Sequence, residues 1–357
     1  MNLFSRKSEG LMGVDISATG IKLVELERSG RSGYQLKSMS IVPLPRDAIV
    51  ENTIIDSMAV SQALLDAIEV ARPSTRNVAL AVSGNTVIIK TVTMPATTEF
   101  DLEAQIDFEA DQHIPYDIDD VFLDFQILGD ANDSHDEMEV VLAACKREII
   151  EDYQLVLSEA GLTVTCVDCA VFALENAAEL GRSKKEDQAV DDAEQRAEAL
   201  INIGSNMMNV NVLLNGQMAF VRDQFYGGQN LTEEIQKQHN ISFQAAEQMK
   251  RESFSEIHPE VLETFYMGLT SELVRSLDFY SANHAEFPVQ KIWLSGGTAL
   301  LPGIANEVEE RLGIEASLLN AFDYISASSK KFDPEHLKQI GPMMTVPIGL
   351  ALRSFDS

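Results

Sequence analysis

The chain has 357 residues, enough for two domains with separate cores. Its 27 Lys and Arg against 56 Asp and Glu leave a net charge of -29, a field that repels nucleic acid and anionic lipid and argues against binding either directly. Hydrophobic residues make up 45% of the chain, which excludes intrinsic disorder, and no apolar run approaches the ~18 residues that span a bilayer.

In chain order, Met1 to Gly10 carries Arg6 and Lys7 but no apolar core of signal-peptide length, so the expected location is the cytoplasm. Residues 11–27 and 34–43 read as strands, with Gly30 and Gly33 in the turn between them. Ser57 to Ala71 has helical spacing, with Met58, Leu64, Leu65 and Ile68 expected on one face. Asn77–Val82 and Val87–Met94 are strands. Phe100 to His113 is expected to be a helix, Val121–Leu128 and Met138–Cys145 strands, Arg147–Ala160 a helix ended by Gly161, and Val164–Asp168 a strand. Gly181 to Glu198 is almost wholly polar and reads as a solvated connector. Beyond it, Gly227-Gly228 opens a helix, 231–285 is nearly all helical in pattern, Lys291–Leu294 is a strand, Gly303–Gly313 is a helix, and Ile340–Ser354 closes the chain.

Two loops carry the chemistry. Met12-Gly-Val-Asp-Ile-Ser-Ala-Thr-Gly-Ile-Lys-Leu-Val-Glu-Leu26 and Leu200-Ile-Asn-Ile-Gly-Ser-Asn-Met-Met-Asn-Val-Asn-Val-Leu-Leu214 are each a strand, a turn of small residues and a second strand. Such a turn lets backbone N–H groups approach an anion, and two of them suggest two similar half-sheets clasping a nucleotide tail. A plain hairpin with a polar turn is the simpler alternative for each. Ile292-Trp-Leu-Ser-Gly-Gly-Thr-Ala-Leu-Leu-Pro-Gly-Ile304 is a strand, a Gly-Gly turn and a helix start.

Other features read as structural. Cys166-Val-Asp-Cys169 has Cys-x-x-Cys spacing, but it lies in an alternating strand, and the third cysteine, Cys145, forms no second pair, so reduced structural thiols are expected. Met207, Met208, Met343 and Met344 read as core filling. Phe100 to Asp124 mixes apolar residues with nine carboxylates and lacks a catalytic partner at defined spacing; a solvated helix face over a core is the default there.

The order of these segments resembles the actin-like ATPase superfamily, and most of all the PilM family of type IV pilus assembly, with the cell-division FtsA branch next. The resemblance runs from Leu11 to Ser354. It rests on Gly13 to Glu25, on Gln105-Ile-Asp-Phe-Glu-Ala-Asp-Gln-His-Ile-Pro-Tyr-Asp117, and on Leu294-Ser-Gly-Gly-Thr-Ala-Leu-Leu-Pro-Gly303. It implies an α/β, actin-like (RNase H-like) two-domain fold with an inserted α+β subdomain and a helical subdomain. The first actin-like subdomain would take 1–76 and 163–195, the latter with the polar connector. The insertion would take 77–162, the second actin-like subdomain 196–230 and 289–357, and the helical subdomain 231–288.

By that resemblance the ligand is ATP or ADP with Mg²⁺. Asp15 would hold the metal through water, Lys22 would offset phosphate charge, and Ser17, Ala18, Thr19 and Gly20 would offer donors. The second loop departs from the superfamily pattern, with Asn202 in place of Asp and Met208 in place of a Thr expected to face the phosphates. Gly204, Ser205 and Asn206 keep the tight turn. Binding is therefore expected to survive while hydrolysis is weak or absent, and no residue is assigned firmly to catalysis. Gly227 and Gly228 would approach the ribose and phosphates, and Glu247 and Lys250 the nucleoside, with a surface ion pair as their alternative. Gly296, Gly297 and Thr298 would form the adenosine-side loop.

The partner implied is the cytoplasmic N-terminal peptide of PilN, with the acidic, apolar stretch Phe100–Asp124 as its groove. Other platform proteins and self-association stay open. Nucleic acid is not expected, and the inner membrane would be reached only through partners. An FtsA-like filament would need a C-terminal amphipathic helix after a linker, where this chain has only Pro347–Ser357. A small-molecule kinase would need a carboxylate where Asn202 stands.

Overall fold

A computed structural model describes residues 10–30, 33–84, 87–131, 134–186 and 196–355. The elements are β1 (Leu11–Ser17), β2 (Gly20–Ser29), β3 (Gly33–Pro43), β4 (Ile49–Val50), β5 (Thr53–Ile54), α1 (Ser57–Ala71), β6 (Asn77–Val82), β7 (Val87–Pro95), α2 (Glu99–Glu103), α3 (Ile106–Asp111), β8 (Val121–Ala131), β9 (Ser134–Lys146), α4 (Arg147–Glu159), β10 (Thr163–Cys169) and α5 (Ala170–Glu186). After residue 196 come β11 (Ala197–Ile203), β12 (Met208–Leu214), β13 (Gln217–Gln224), α6 (Gly228–His239), α7 (Phe243–Glu252), α8 (Pro259–Asn283), β14 (Val289–Ser295), α9 (Ile304–Leu312), β15 (Glu315–Leu318), β16 (Ser326–Ala327), α10 (Pro334–Ile340) and α11 (Thr345–Leu352).

Two sheets repeat one plan. In the first, β1, β2 and β3 are an antiparallel meander, and β6 and then β10 add parallel beside β1. In the second, β11, β12 and β13 are the meander, and β14 and then β15 add parallel beside β11. A parallel neighbour needs a crossover connection, and each half fills its crossovers differently. The first half uses α1 between β3 and β6, and inserts β7–β9 with α2 and α3 before α4 and β10. The second uses α6, α7 and α8 between β13 and β14.

The helices cover the sheets by ordinary amphipathic logic. Asp56 caps α1 by accepting from the Ala59 N–H at 3.0 Å, and Val60, Ala63, Leu64, Ala67 and Ala71 form its buried stripe. Met58 (81% exposed) and Leu65 (45%) face outward instead of sharing the inner face, because they sit off that stripe on the helical wheel. With α4, α1 covers one face of the first sheet. The other face packs on α5 and α11, and every residue of α11 is buried.

Further differences from the sequence reading have local causes. Gln105 leaves helical geometry, so 100–113 forms two short helices rather than one. The polar stretch expected as a connector begins inside α5, which continues to Glu186 because Leu180 and Gly181 still pack against the chain's C-terminal layer. The rest of that stretch, 187–195, lies outside the described residues. The three-stranded sheet β7-β9-β8 with α2 and α3 has its own core. Strand β6 pairs with β1, and α4 packs beside α1, so the part standing apart runs from Val87 to Lys146. The three cysteines, in strands β9 and β10, form no disulfide among the described residues.

Candidate functional site

The first hairpin turn is held by side chains. Antiparallel register sets Asp15 opposite Lys22 and Ser17 opposite Gly20. Lys22 Nζ meets Asp15 Oδ2 at 2.6 Å and Ser17 Oγ at 3.5 Å, with 12% and 17% of the two charged side chains exposed. The Ser17 hydroxyl donates to Gly20 O at 2.9 Å, and Thr19 O accepts from the Leu44 N–H, which ties the tip to the chain after β3. Ala18 and Thr19 form the tip itself.

In the second hairpin the same register sets Asn202 opposite Asn209. Asn209 Nδ2 donates to Asp223 Oδ1 at 2.6 Å, and Asn202 Nδ2 donates to Asn209 Oδ1 at 3.1 Å. Because a carboxylate only accepts, Asp223 dictates the orientation of both amides. It leaves Asn202 Oδ1 facing Ser295 Oγ at 3.5 Å. Burial raises the Asp223 carboxyl above its ordinary pKa, against the opposing pull of Asn209 and the Gly84 N–H. The turn closes through Gly204 N–H to Met207 O, and Ser205 Oγ donates to Asn206 Oδ1. Met208 does not face this turn. It is fully buried with Val210 and Val212, because alternate residues of a strand share a face.

The remaining second-half positions converge on that turn. The Gly228 N–H donates to Gly204 O at 3.0 Å, the Gln229 N–H to Ser205 O at 2.8 Å, and Thr298 Oγ1 to Gly204 O at 2.6 Å. A Cβ on Gly228 would lie 2.6 Å from Thr298 Oγ1, and one on Gly227 would lie 2.5 Å from Gly204 O. Gly296 has φ +92°, and a Cβ there would lie 2.4 Å from Ile203 O. Gly297, beside it, faces open space. Lys250 Nζ donates to Gly228 O (3.0 Å), Thr232 Oγ1 (2.7 Å) and Glu247 Oε1 (2.5 Å), and Thr232 also meets Glu247. An ammonium has three donors, so Lys250 is fully engaged in bracing the Gly228 turn. The pair is largely buried, not a surface pair, and burial pushes the Lys250 ammonium down despite Glu247.

The halves meet at Gly84, Asn52 and Tyr153, which the sequence reading passed over, and at Met207, which it read as core filling. Gly84 follows β6 with φ +72°, and a Cβ there would lie 2.4 Å from Asn52 Nδ2 and 2.7 Å from the Met207 methyl. Asn52 donates to Ser83 O, and Tyr153 Oη donates to Asn52 O at 3.2 Å. Tyr153 is buried, and the nearby Asp15 charge adds to the rise of its phenol. Met207, Gly84, Asn52 and Tyr153 thus lead from the second turn toward Asp15. Farther out, the Arg46 guanidinium lies 4.1 Å over the Phe243 ring, joining the β3–β4 loop to α7. Asn209 had a legible signal, since it follows Asn202 at the spacing by which Lys22 follows Asp15. Nothing in the sequence singles out Asn52 or Asp223.

One cavity borders these contacts and a second lies apart from them. One of about 320 Å³ lies between the halves, with Ser83 and Gly84 on one side and Asn209 and Asp223 on the other. The second, about 620 Å³, lies between the small sheet and β10, lined among others by Asp124, Phe125, Val141, Cys166, Asp168 and Arg353. Of the stretch 100–124 only Asp124 lines it; Phe100 and Phe108 stand 80% and 73% exposed on α2 and α3. Among the described residues, no group of three or more His, Cys, Asp or Glu is placed to hold a metal, and no helix is long and apolar enough to cross a membrane.

Two matching half-sheets with facing hairpin turns define an actin-like two-domain fold. A family model described as type IV pilus assembly protein PilM matches residues 13–355. The chain belongs to that family. A solved structure titled as the PilM-PilN type IV pilus biogenesis complex matches with a TM-score of 0.85 and 27% identity, over 98% of this chain and 99% of that one. Ethanolamine utilization protein EutJ from Carboxydothermus hydrogenoformans matches in fold (TM-score 0.54, 16% identity, 96% and 88% covered). So does MreB 5 of Spiroplasma citri bound to AMPPNP (TM-score 0.50, 12% identity, 95% and 94% covered).

Proposed function

We propose that this chain is a nucleotide-clasping scaffold of the type IV pilus assembly platform, which holds the cytoplasmic N-terminal segment of PilN and turns ATP over slowly or not at all. The observation that carries the last point is the Asn202–Asn209–Asp223 chain. A hydrolytic site needs a group to activate water. Here the second hairpin offers an amide whose orientation is already set from within the protein.

The residues present suit a nucleotide. Gly227, Gly228 and Gly296 pack against the protein's own backbone and Thr298 and hold the turn tight, while Gly297 beside them opens onto free space, where a ligand could approach backbone closely. Ser17, Ala18, Thr19, Ser205 and Asn206 supply the hairpin tips, Gly297 and Thr298 the third loop, and Lys22 the charge. Glu247 and Lys250 act by bracing Gly228. A single carboxylate, Asp15, suits Mg²⁺, which is usually held by one or two carboxylates, phosphates and water. When bound, the metal would neutralise phosphate charge, and Asp15 would share its carboxylate between it and Lys22.

The 620 Å³ cleft beside β10 is the place we assign to the PilN segment. Its apolar residues, Phe125 and Val141 among them, suit hydrophobic anchors, and the carboxylate of Asp124 suits a basic residue. The protein itself would stay in the cytoplasm, at the inner membrane only through such partners.

Titration calorimetry with Mg-ATP and a PilN N-terminal peptide, followed by phosphate release, tests the reading. Peptide binding with bound, uncleaved ATP is expected. Rapid turnover without peptide binding would overturn it.

A further inference from the structure

Helix α5 joins the halves and carries a carboxyl that the site described above does not use. Leu174 and Ala178 pack α5 on the second half, beside Leu200, Leu213 and Leu319. Ala173 and Ala177 pack it on the first. On the flank of α5 beside Ala178, Glu175 meets β12, where Asn211 Nδ2 donates to Glu175 Oε1 at 2.6 Å. Asn211 is 0% exposed, and among the described residues its Oδ1 receives no hydrogen bond.

That orphan oxygen is informative. A buried polar atom left unpaired is costly, and buried amides are normally satisfied on both sides. An ionised carboxylate only accepts, so it can pair with the amide N–H and never with the amide oxygen. A neutral carboxyl also carries an O–H, which completes an acid–amide pair.

The surroundings favour the neutral form. The charged groups facing Glu175 are Asp168 at the end of β10, Arg353 just after α11, and Arg182 farther along α5. Arg353 Nε is spent on Asp168 Oδ2 at 2.7 Å, and Arg182 on Glu198 of β11 at 3.3 Å. Strands β6 and β12 and helix α11, also beside α5, contribute no charged side chain.

We propose that Glu175 and Asn211 form a proton-holding pair at the hinge, so that the two halves seat on a neutral carboxyl and loosen at α5 when its proton leaves. Consistent with this geometry, burial pushes the Glu175 carboxyl up to about 7, against the opposing effects of Asn211 and Arg182. The folded protein then holds a proton that the unfolded chain gives up near the ordinary carboxylate range. The contribution to stability is full below that range and is lost as pH rises through about 7. This inference stands on the hinge alone and does not depend on nucleotide or PilN binding.

The test uses the full chain. Infrared difference spectra should show a protonated-carboxyl band at about pH 6 that fades by about pH 8.5 and is missing from Glu175→Gln. The melting temperature of wild type relative to Glu175→Gln should fall by a few degrees over the same window. Asn211→Ser, which keeps the carboxyl but changes its partner, should shift the band's position. A band unaffected by Glu175→Gln, a flat melting difference, or an unshifted band in Asn211→Ser would each overturn the proposal.

Discussion

The two hairpins share the pairing of their facing positions and their place in the sheets, yet they are held by opposite means. In the first, Asp15 and Lys22 face each other as an ion pair. In the second, the same two positions hold Asn202 and Asn209, and the nearest carboxylate has moved one strand over, to Asp223. What secures the second turn is backbone: carbonyls of Gly204 and Ser205 take N–H groups from 228–229, and glycines allow the approach. One loop thus keeps charge that can respond to a ligand. The other has become a rigid neutral cradle, which fits a scaffold that grips a ligand more readily than a hydrolase that cleaves it.

The comparison breaks first at Gly296. An alanine there must adopt φ +92° and place Cβ 2.4 Å from Ile203 O, a backbone atom of β11 that cannot retreat without leaving its sheet. Gly296→Ala should cost about 3 kcal/mol or more in urea unfolding, and titration should show loss of nucleotide binding. The first hairpin should yield to side-chain loss instead. Lys22→Met strands a mostly buried Asp15 carboxylate, for a cost of about 1–3 kcal/mol and a fall in Mg-ATP affinity of roughly tenfold or more. Equal stability in Lys22→Met and wild type would show that the ion pair does not hold the turn.

Asn202→Asp sharpens the contrast, because it places a carboxylate where the first hairpin has Asp15, without the setting that Asp15 has. A carboxylate at position 202 would face Asn209 Oδ1, an acceptor, while Asn209 is pinned by Asp223. The single substitution should cost about 1–2 kcal/mol and leave phosphate release unchanged. Adding Asn209→Lys recreates the pairing of the first half and gives Asp223 a cation as well, so the double variant should recover stability. A double-mutant cycle measures that coupling, and additive losses would argue against the amide chain as the organising contact.

Much of this was legible beforehand, for physical reasons that differ by element. Strand and helix limits such as Asn77–Val82 and Ser57–Ala71 follow from hydrophobic period and from caps such as Asp56. The hairpins are visible because small residues between apolar strands have few other uses. Met208 was legible as core filling, and alternation with Val210 and Val212 puts it there, so a hydroxyl at that position would not face the turn. Glu247 and Lys250 were legible as a pair, but not as a brace, since Gly228 lies 22 residues away. Asp223, Asn52 and Tyr153 matter only through contacts that folding creates, between segments 14 to 101 residues apart.

The smallest effect concerns how the halves are kept together at their outer edge. Gly84 is buried and packs closely on a half-buried Met207, whereas Arg46 over Phe243 is a more exposed cation–π contact, with the guanidinium also near Asp47 at 3.6 Å. An exposed contact of that kind contributes about 0.5–1 kcal/mol, too little to change the fold but enough to bias an opening motion. Arg46→Ala should therefore leave urea unfolding within about 1 kcal/mol of wild type, while stopped-flow dissociation of a fluorescent ATP analogue becomes a few times faster. Met207→Ala, acting at the inner contact, should lower stability and affinity together. If Arg46→Ala instead behaves like Met207→Ala, the lip and the interior form one cooperative closure. If only the rate moves, entry to the cleft is governed at Arg46 and Phe243, and the inner contacts set how firmly the halves hold what has entered.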